Sequence, residues 1–287
     1  MKRTTYLNQS ALDNIKNYVA MYGAGTQSTG MILDLIEREQ PLDFALFADT
    51  GGEPEHVIEY KEYFSEYVRK EYGVEIVTVK TINKENKPMS LEKETLEYMK
   101  GNRKRVANIP LFLKGDGSEI GKLIRQCTGD YKINPSDKYI KKRLEIRRKN
   151  VEQTQNVAIY MGISIDEAQR MKYSTEWWKV ILYPLVEEGF TRQKTIDLVN
   201  RHGLKEPPRS ACYFCPFHSH SYWKHLKKEY PNEFKKAIEF DEAIRNNPKL
   251  EKQSFIYKKG IPLKDVDFDN QIDLFDMIDD CGGYCGI

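Results

Sequence analysis

The first 126 residues contain no cysteine, and all five cysteines of the 287-residue chain fall after that point. No apolar run approaches the roughly 20 residues needed to cross a bilayer, which argues against a membrane protein. The opening stretch from Met1 to Gln9 lacks the apolar centre of a secretory signal, so a cytoplasmic protein is expected. A disulfide framework does not suit that setting, and the cysteines read instead as metal or redox residues. Excess charge is also missing. A formal net charge of +2 gives no argument for nucleic acid by itself. The chain has no internal repeat and no low-complexity segment.

What remains is the balance of an ordinary globular protein, 40% hydrophobic and 31% charged residues. Tyr18, Val19 and Met21 mark a short buried strand within Asn17 to Met21. The small-residue turn Gly23-Ala24-Gly25-Thr26-Gln27-Ser28-Thr29-Gly30 follows. Met31, Ile32, Leu35 and Ile36 then recur at helical spacing up to about Glu39. A second apolar run, Phe44 to Ala48, ends in Asp49-Thr50-Gly51-Gly52. A tyrosine-rich amphipathic helix is expected from about Glu55 to Tyr72, and a third strand around Glu75 to Val79. This alternation predicts a parallel, doubly wound α/β sheet.

The polar stretch 83–119 reads as an insertion or lid. A further strand is expected at Asn156 to Met161, then a helix opened by a capping box of Ser164 and Glu167. Helices return beyond Phe190. Basic residues cluster at Arg103, Lys104 and Arg105, and from Lys138 to Lys149, where helical spacing would present either a basic ridge for phosphates or a solvated face. Trp177, Trp178 and Trp223 read as packing aromatics. His56 and His202 have no identifiable partner in the sequence.

A turn of small residues between strand and helix lets backbone N–H groups approach an anion at the helix start. No lysine closes this loop as in common ATPases, and it lacks the dinucleotide G-x-G-x-x-G. Asp49-Thr50-Gly51 should lie at the carboxyl end of the neighbouring strand, the edge at which open α/β sheets bind ligands. Together, Gly23 to Ser28 and Asp49 to Glu53 resemble the pyrophosphate loop and D-T-G segment of the phosphoadenylyl-sulfate (PAPS) reductase-like family. That family belongs to the adenine nucleotide alpha-hydrolase-like, or PP-loop, superfamily. Gly23, Ala24 and Gln27 stand where the usual S-G-G-x-D-S loop has Ser, Gly and Asp. Gly162-Ile163, Asp166-Glu167, Arg170 and Tyr183-Pro184-Leu185 are similar to later segments of these proteins.

The resemblance implies a Rossmann-like nucleotide domain over residues 1–190 and a helical, cysteine-bearing C-terminal region over 191–287. It implies ATP or a sulfonucleotide (PAPS or adenylyl sulfate, APS) bound by Gly23, Gly25, Thr26, Gln27, Ser28 and Thr29, with Asp49, Thr50 and Gly51 beside the adenosine. Arg125, Lys132 and Arg170 are the candidates to stabilise charge on the transferred group.

Cys212-Tyr213-Phe214-Cys215-Pro216 is a C-x-x-C, a spacing shared by iron–sulfur, zinc and redox disulfide sites. Cys127, in Arg125-Gln126-Cys127-Thr128, with basic residues and Pro135 behind it, makes the arrangement similar to iron–sulfur adenylyl-sulfate reductases. Gln126 takes the place of the first cysteine of their Cys-Cys pair. The resemblance implies a [4Fe-4S] cluster on Cys127, Cys212 and Cys215, with Cys285 or Cys281 as fourth ligand. Zinc, with His218 or His220 completing the set, is the alternative. Asp280-Cys281-Gly282 partly echoes the tail in which reductases carry their nucleophile, so Cys281 is the candidate for that role.

Three functions follow. One is an adenine-nucleotide-dependent sulfurtransferase acting on tRNA or DNA, supplied by a cysteine desulfurase or thiol reductant. A second is a phosphoadenylyl- or adenylyl-sulfate reductase releasing sulfite. The third is a nucleotide-sensing or DNA-associated binding protein with a structural metal.

Overall fold

The structure, a computed structural model, describes residues 14–102, 109–117, 119–147, 156–246 and 250–269. Strand β1 (Asn17–Met21) leads into helix α1 (Thr26–Glu37), β2 (Phe44–Asp49), α2 (Glu55–Tyr72) and β3 (Ile76–Lys80). Then come α3 (Leu91–Met99), the short strands β4 (Phe112–Lys114) and β5 (Ile120–Lys122), a π-helical turn (Gly129–Ile133) and α4 (Asn134–Arg143). β6 (Val157–Met161), a 3-10 turn (Ile165–Arg170), β7 (Lys179–Leu182), α5 (Pro184–Glu187) and α6 (Arg192–Arg201) complete the sheet region. They are followed by α7 (His220–Glu229), α8 (Pro231–Ala243) and β8 (Gln253–Phe255).

Five strands form one sheet in the order β3-β2-β1-β6-β7, every neighbouring pair parallel. The chain is therefore an α/β protein with a doubly wound sheet. Successive side chains of a strand face opposite ways, and the sequence sorts accordingly. Val19, Phe44, Leu46, Val157 and Ile159 pack on one face with Ile140 of α4 and Trp178. Ala20, Ala45, Phe47 and Tyr160 pack on the other, with Met31 and Leu35 of α1, Phe64 and Val68 of α2, and Leu198 of α6. Truncating such a fully buried leucine costs about 2–5 kcal/mol, so these two layers hold the sheet edge in place. Strand order reverses at β1, where loops leaving β1 and β6 diverge into the crevice typical of ligand sites.

A third apolar cluster lies under the C-x-x-C. Tyr213, Phe214, Trp223, Phe234, Phe240 and Tyr257 form its centre, and Phe214 stacks on Phe240 with ring centroids 4.3 Å apart. Residues 83–102 and 109–117 feed this cluster. Ser90 caps α3 by accepting from Lys93 N–H, and Leu91 and Met99 are buried against the aromatics. β4 pairs antiparallel with both β5 and β8. Asp241 ties α8 to the β8 region by accepting from the N–H groups of Ile256 (2.9 Å) and Leu263 (3.0 Å).

Some expectations are corrected. Ser164 does not cap through its side chain, and the segment is a 3-10 turn. Its hydroxyl is buried without a hydrogen-bond partner among the described residues, while the Glu167 carboxylate turns outward to Gln27 and Arg170. His56 and His202 do have partners. His56 stacks on Tyr230 at 3.8 Å, and His202 bonds Tyr67 (3.2 Å) and Glu37 (3.0 Å). Trp178 and Trp223 are fully buried, as packing aromatics should be. No helix among the described residues is long and apolar enough to cross a membrane. Cys281 and Cys285, and the cluster Arg103, Lys104 and Arg105, lie outside the described residues.

Candidate functional site

The β1–α1 loop is shaped by contacts that leave no room for larger residues. Ala24 adopts a left-handed conformation (φ 60°) and is fully buried. A Cβ on Gly25 would lie 3.0 Å from Cβ of Ser210, and one on Gly162 would lie 2.7 Å from Cα of Ser28. The segment after β6 and the segment before the C-x-x-C thus clamp the loop from two sides. Ser28, in the first turn of α1, reaches back to its start. Its hydroxyl accepts from Gly23 N–H (3.1 Å) and Gly25 N–H (3.4 Å) and donates to the Gly25 carbonyl (3.1 Å). Both glycine N–H groups thus point at the Ser28 hydroxyl, and a common space opens beside them at the positive end of α1.

That space is a cavity of about 130 Å³, lined by Gly23, Gly25, Thr26, Gln27 and Ser28 and walled by Arg170, Arg192 and Arg209. Each arginine comes from a different segment. Arg170 ends the 3-10 turn and pairs with Glu167, whose carboxylate also accepts from Gln27 Nε2 at 3.3 Å. Arg192 opens α6, and its backbone N–H bonds Asp166. Arg209 lies over the Tyr222 ring at 4.9 Å. Three guanidiniums and one carboxylate around backbone donors make a site for an anion with several oxygens. Thr29 stands apart. It is fully buried and faces the Tyr22 and Tyr60 hydroxyls, which burial makes harder to ionise.

The D-T-G segment is folded by its own carboxylates. Glu53 accepts from Thr50 N–H (3.0 Å), Thr50 Oγ1 (2.8 Å) and Gly52 N–H (3.3 Å). Asp49 accepts from Gly51 N–H (2.8 Å) and pairs with Lys80 at 2.7 Å. Gly51 is left-handed (φ 73°), a conformation that glycine adopts at no steric cost. The segment faces the cysteines: Thr50 Oγ1 lies 3.2 Å from Cys212 Sγ, and Tyr213 N–H donates to the Gly52 carbonyl at 2.9 Å.

Cys127, Cys212 and Cys215 line one small cavity of about 30 Å³ together with Thr50, Arg125 and Lys132. All three are thiols rather than disulfides. A tight turn holds the C-x-x-C, with Cys215 N–H on the Cys212 carbonyl (3.0 Å) and His218 N–H on the Cys215 carbonyl (3.1 Å). His218 Nε2 also bonds the Cys212 carbonyl at 2.8 Å, and His220 Nδ1 bonds the Tyr257 hydroxyl at 2.7 Å. Both histidines are thus engaged in shaping the fold. Burial pushes the Cys212 thiol well above its ordinary value; the Glu53 carboxylate adds to this and Lys132 opposes it. Burial likewise raises Glu53, against Lys132 and the Thr50 hydroxyl. No three Cys, His, Asp or Glu side chains among the described residues converge as a metal site. The donor type nevertheless suits a thiolate-bound centre: three half-buried cysteines line one cavity with Arg125 and Lys132.

Of the charged residues singled out in the sequence, Arg170 stands at the loop cavity, whereas Arg125 and Lys132 stand at the cysteine cavity. Asp49 lines neither. Arg192, Arg209 and Ser210 escaped the sequence reading. The only local signal was Pro207-Pro208-Arg209-Ser210 immediately before the C-x-x-C. That short run joins the two cavities, Pro208 to Ser210 lining the first and Ala211 and Cys212 the second. Compared with known proteins, the chain matches no family model and no curated protein.

Proposed function

We propose that the protein is an adenine-nucleotide-dependent sulfur-transfer enzyme of the PAPS reductase-like kind, with the cysteines holding an iron–sulfur centre beside the nucleotide phosphates. The observation that carries this reading is the joining of the two cavities by Pro208 to Cys212, with Thr50 touching Cys212 from the D-T-G side. A nucleotide anchored at Gly23 to Ser28 would have its phosphates within the arginine cluster. Phosphate oxygens would take the glycine N–H groups that Ser28 now occupies, and Arg170, Arg192 and Arg209 would neutralise charge as pyrophosphate leaves ATP, or as the adenosine phosphate leaves the sulfur of a sulfonucleotide.

Cys127, Cys212 and Cys215 would hold the cluster, with Cys285 or Cys281 as the fourth thiolate. When bound, it would supply electrons or carry sulfur. Zinc on the same cysteines would serve as a staple only. The acceptor in this reading is tRNA or DNA. ATP turnover by protein purified without oxygen, stimulated by nucleic acid and leaving sulfur in it, tests the proposal. Release of sulfite from PAPS or APS would place the chain with the reductases. Tight nucleotide binding without turnover would make it a binding protein.

A further inference from the structure

A further cavity of about 680 Å³ belongs to neither site. It lies beyond the carboxyl end of edge strand β3, between that strand and the π-helical turn with α4. Its volume is within the ~300–1,000 Å³ of small-molecule sites. The wall supplied by the turn and α4 has two chemically distinct stripes. Asn134, Lys138 and Lys142 recur every four residues along one stripe, and Tyr131, Pro135 and Tyr139 along the next. Residues four apart share a helix face, so an amide and two ammonium groups run beside two phenol rings. Lys138 and Lys142 form no ion pair among the described residues, unlike Lys141 and Arg143, which pair with Glu176 and Glu75. Across the cavity stand Val79 and Met89 as apolar surface and Glu94, a buried carboxylate. Thr81 Oγ1 closes one end by donating to the Asp130 carbonyl at 2.9 Å.

From this arrangement we infer that the cavity is a second binding site, separate from the phosphate loop, for a mononucleotide unit. A flat base would lie against Tyr139 and Met89. Its phosphate would sit at Lys138 and Lys142, and Glu94 would accept from base N–H or ribose hydroxyl groups. A ring without an anion would leave the two ammonium groups unused, and an anion without a ring would leave the apolar walls wet. The ligand has two sources, a free nucleoside monophosphate or one nucleotide of a strand, and both present the same chemistry. The site needs no turnover and does not rest on the sulfur-transfer reading.

The test is calorimetric titration of AMP and UMP into protein already saturated with ATP. One further site per chain is expected, weakened at least tenfold by Lys138→Glu with Lys142→Glu. Both lysines are exposed, so the double variant should melt with wild-type protein, which a thermal scan checks. Displacement of the monophosphate by a short single-stranded oligonucleotide identifies a strand as the source, and its failure to compete identifies the free nucleotide. Either result supports the site. Absence of saturable binding at millimolar monophosphate overturns it. So does binding that ATP abolishes, or that survives the lysine substitutions.

Discussion

Gly162 offers the sharpest way to disturb the loop without touching a polar group. It follows β6, and a Cβ there would meet backbone only: Ser28 Cα at 2.7 Å, Ser28 N at 2.8 Å and Gln27 C at 2.9 Å. Backbone cannot rotate away as a side-chain tip can, so Gly162→Ala must displace the start of α1. Overpacking of this kind costs about 1–3 kcal/mol. If that strain is relieved by moving the loop, nucleotide affinity should fall about 5- to 150-fold, at 1.4 kcal/mol per tenfold. If it is held as strain instead, melting should drop by about 2–12 °C. Gly30→Ala is the matched control. Its Cβ would meet Thr195 Cγ2 at 2.2 Å on the core side of α1, so it should lower melting and leave affinity near wild type. Calorimetry with ATP and a thermal scan on each variant separate the two effects. Wild-type affinity and wild-type melting for Gly162→Ala would refute the packing described for the loop.

Arg209→Ala and Arg192→Ala should each remove about 1.5–3 kcal/mol of anion affinity, the value of a charged hydrogen bond, read as a 10- to 150-fold weaker ATP constant; no change would remove that arginine from the site. Thr50→Val takes a donor from the half-buried Glu53 carboxylate and should cost about 0.5–1.5 kcal/mol in urea unfolding, with an unchanged midpoint as the contrary result. His56 titrates below its usual 6.5 because it is buried; Glu233 works against that shift and His225 with it. Between its folded and unfolded values the unfolded chain binds more protons, so stability rises with pH across that window and is lost on acidification through it. Comparing wild type with His56→Phe, which retains a ring for Tyr230, should show a smaller loss in the variant on acidification below the usual histidine value of 6.5; parallel curves would contradict it.

The sheet was legible because its strands are short, apolar and regularly separated by amphipathic helices. Helix α2 has the bounds expected from its tyrosine-rich pattern, and β1 those expected from Tyr18, Val19 and Met21. Ser164 misled because a good N-cap residue in sequence can be carried into the interior by the strand before it. His202 was opaque for another reason: its partners Tyr67 and Glu37 are brought to it only by packing of α6 on α1 and α2. The same holds for the arginine wall. Gly23 to Ser28 announced an anion loop through local composition, whereas Arg170, Arg192 and Arg209 meet only after the β6–α6 region has folded back over it. The C-x-x-C was visible as a motif, but its contact with Thr50 depends on tertiary packing.

The proposed function requires that the three cysteines hold a metal centre beside a nucleotide site. Iron, sulfide and zinc content, with visible absorption, of full-length protein purified without oxygen tests it most directly. About four irons per chain and a brown protein are expected, with the absorption lost in Cys212→Ser and Cys127→Ser. A colourless protein, carrying no metal or one zinc that these substitutions release, would contradict the iron–sulfur assignment.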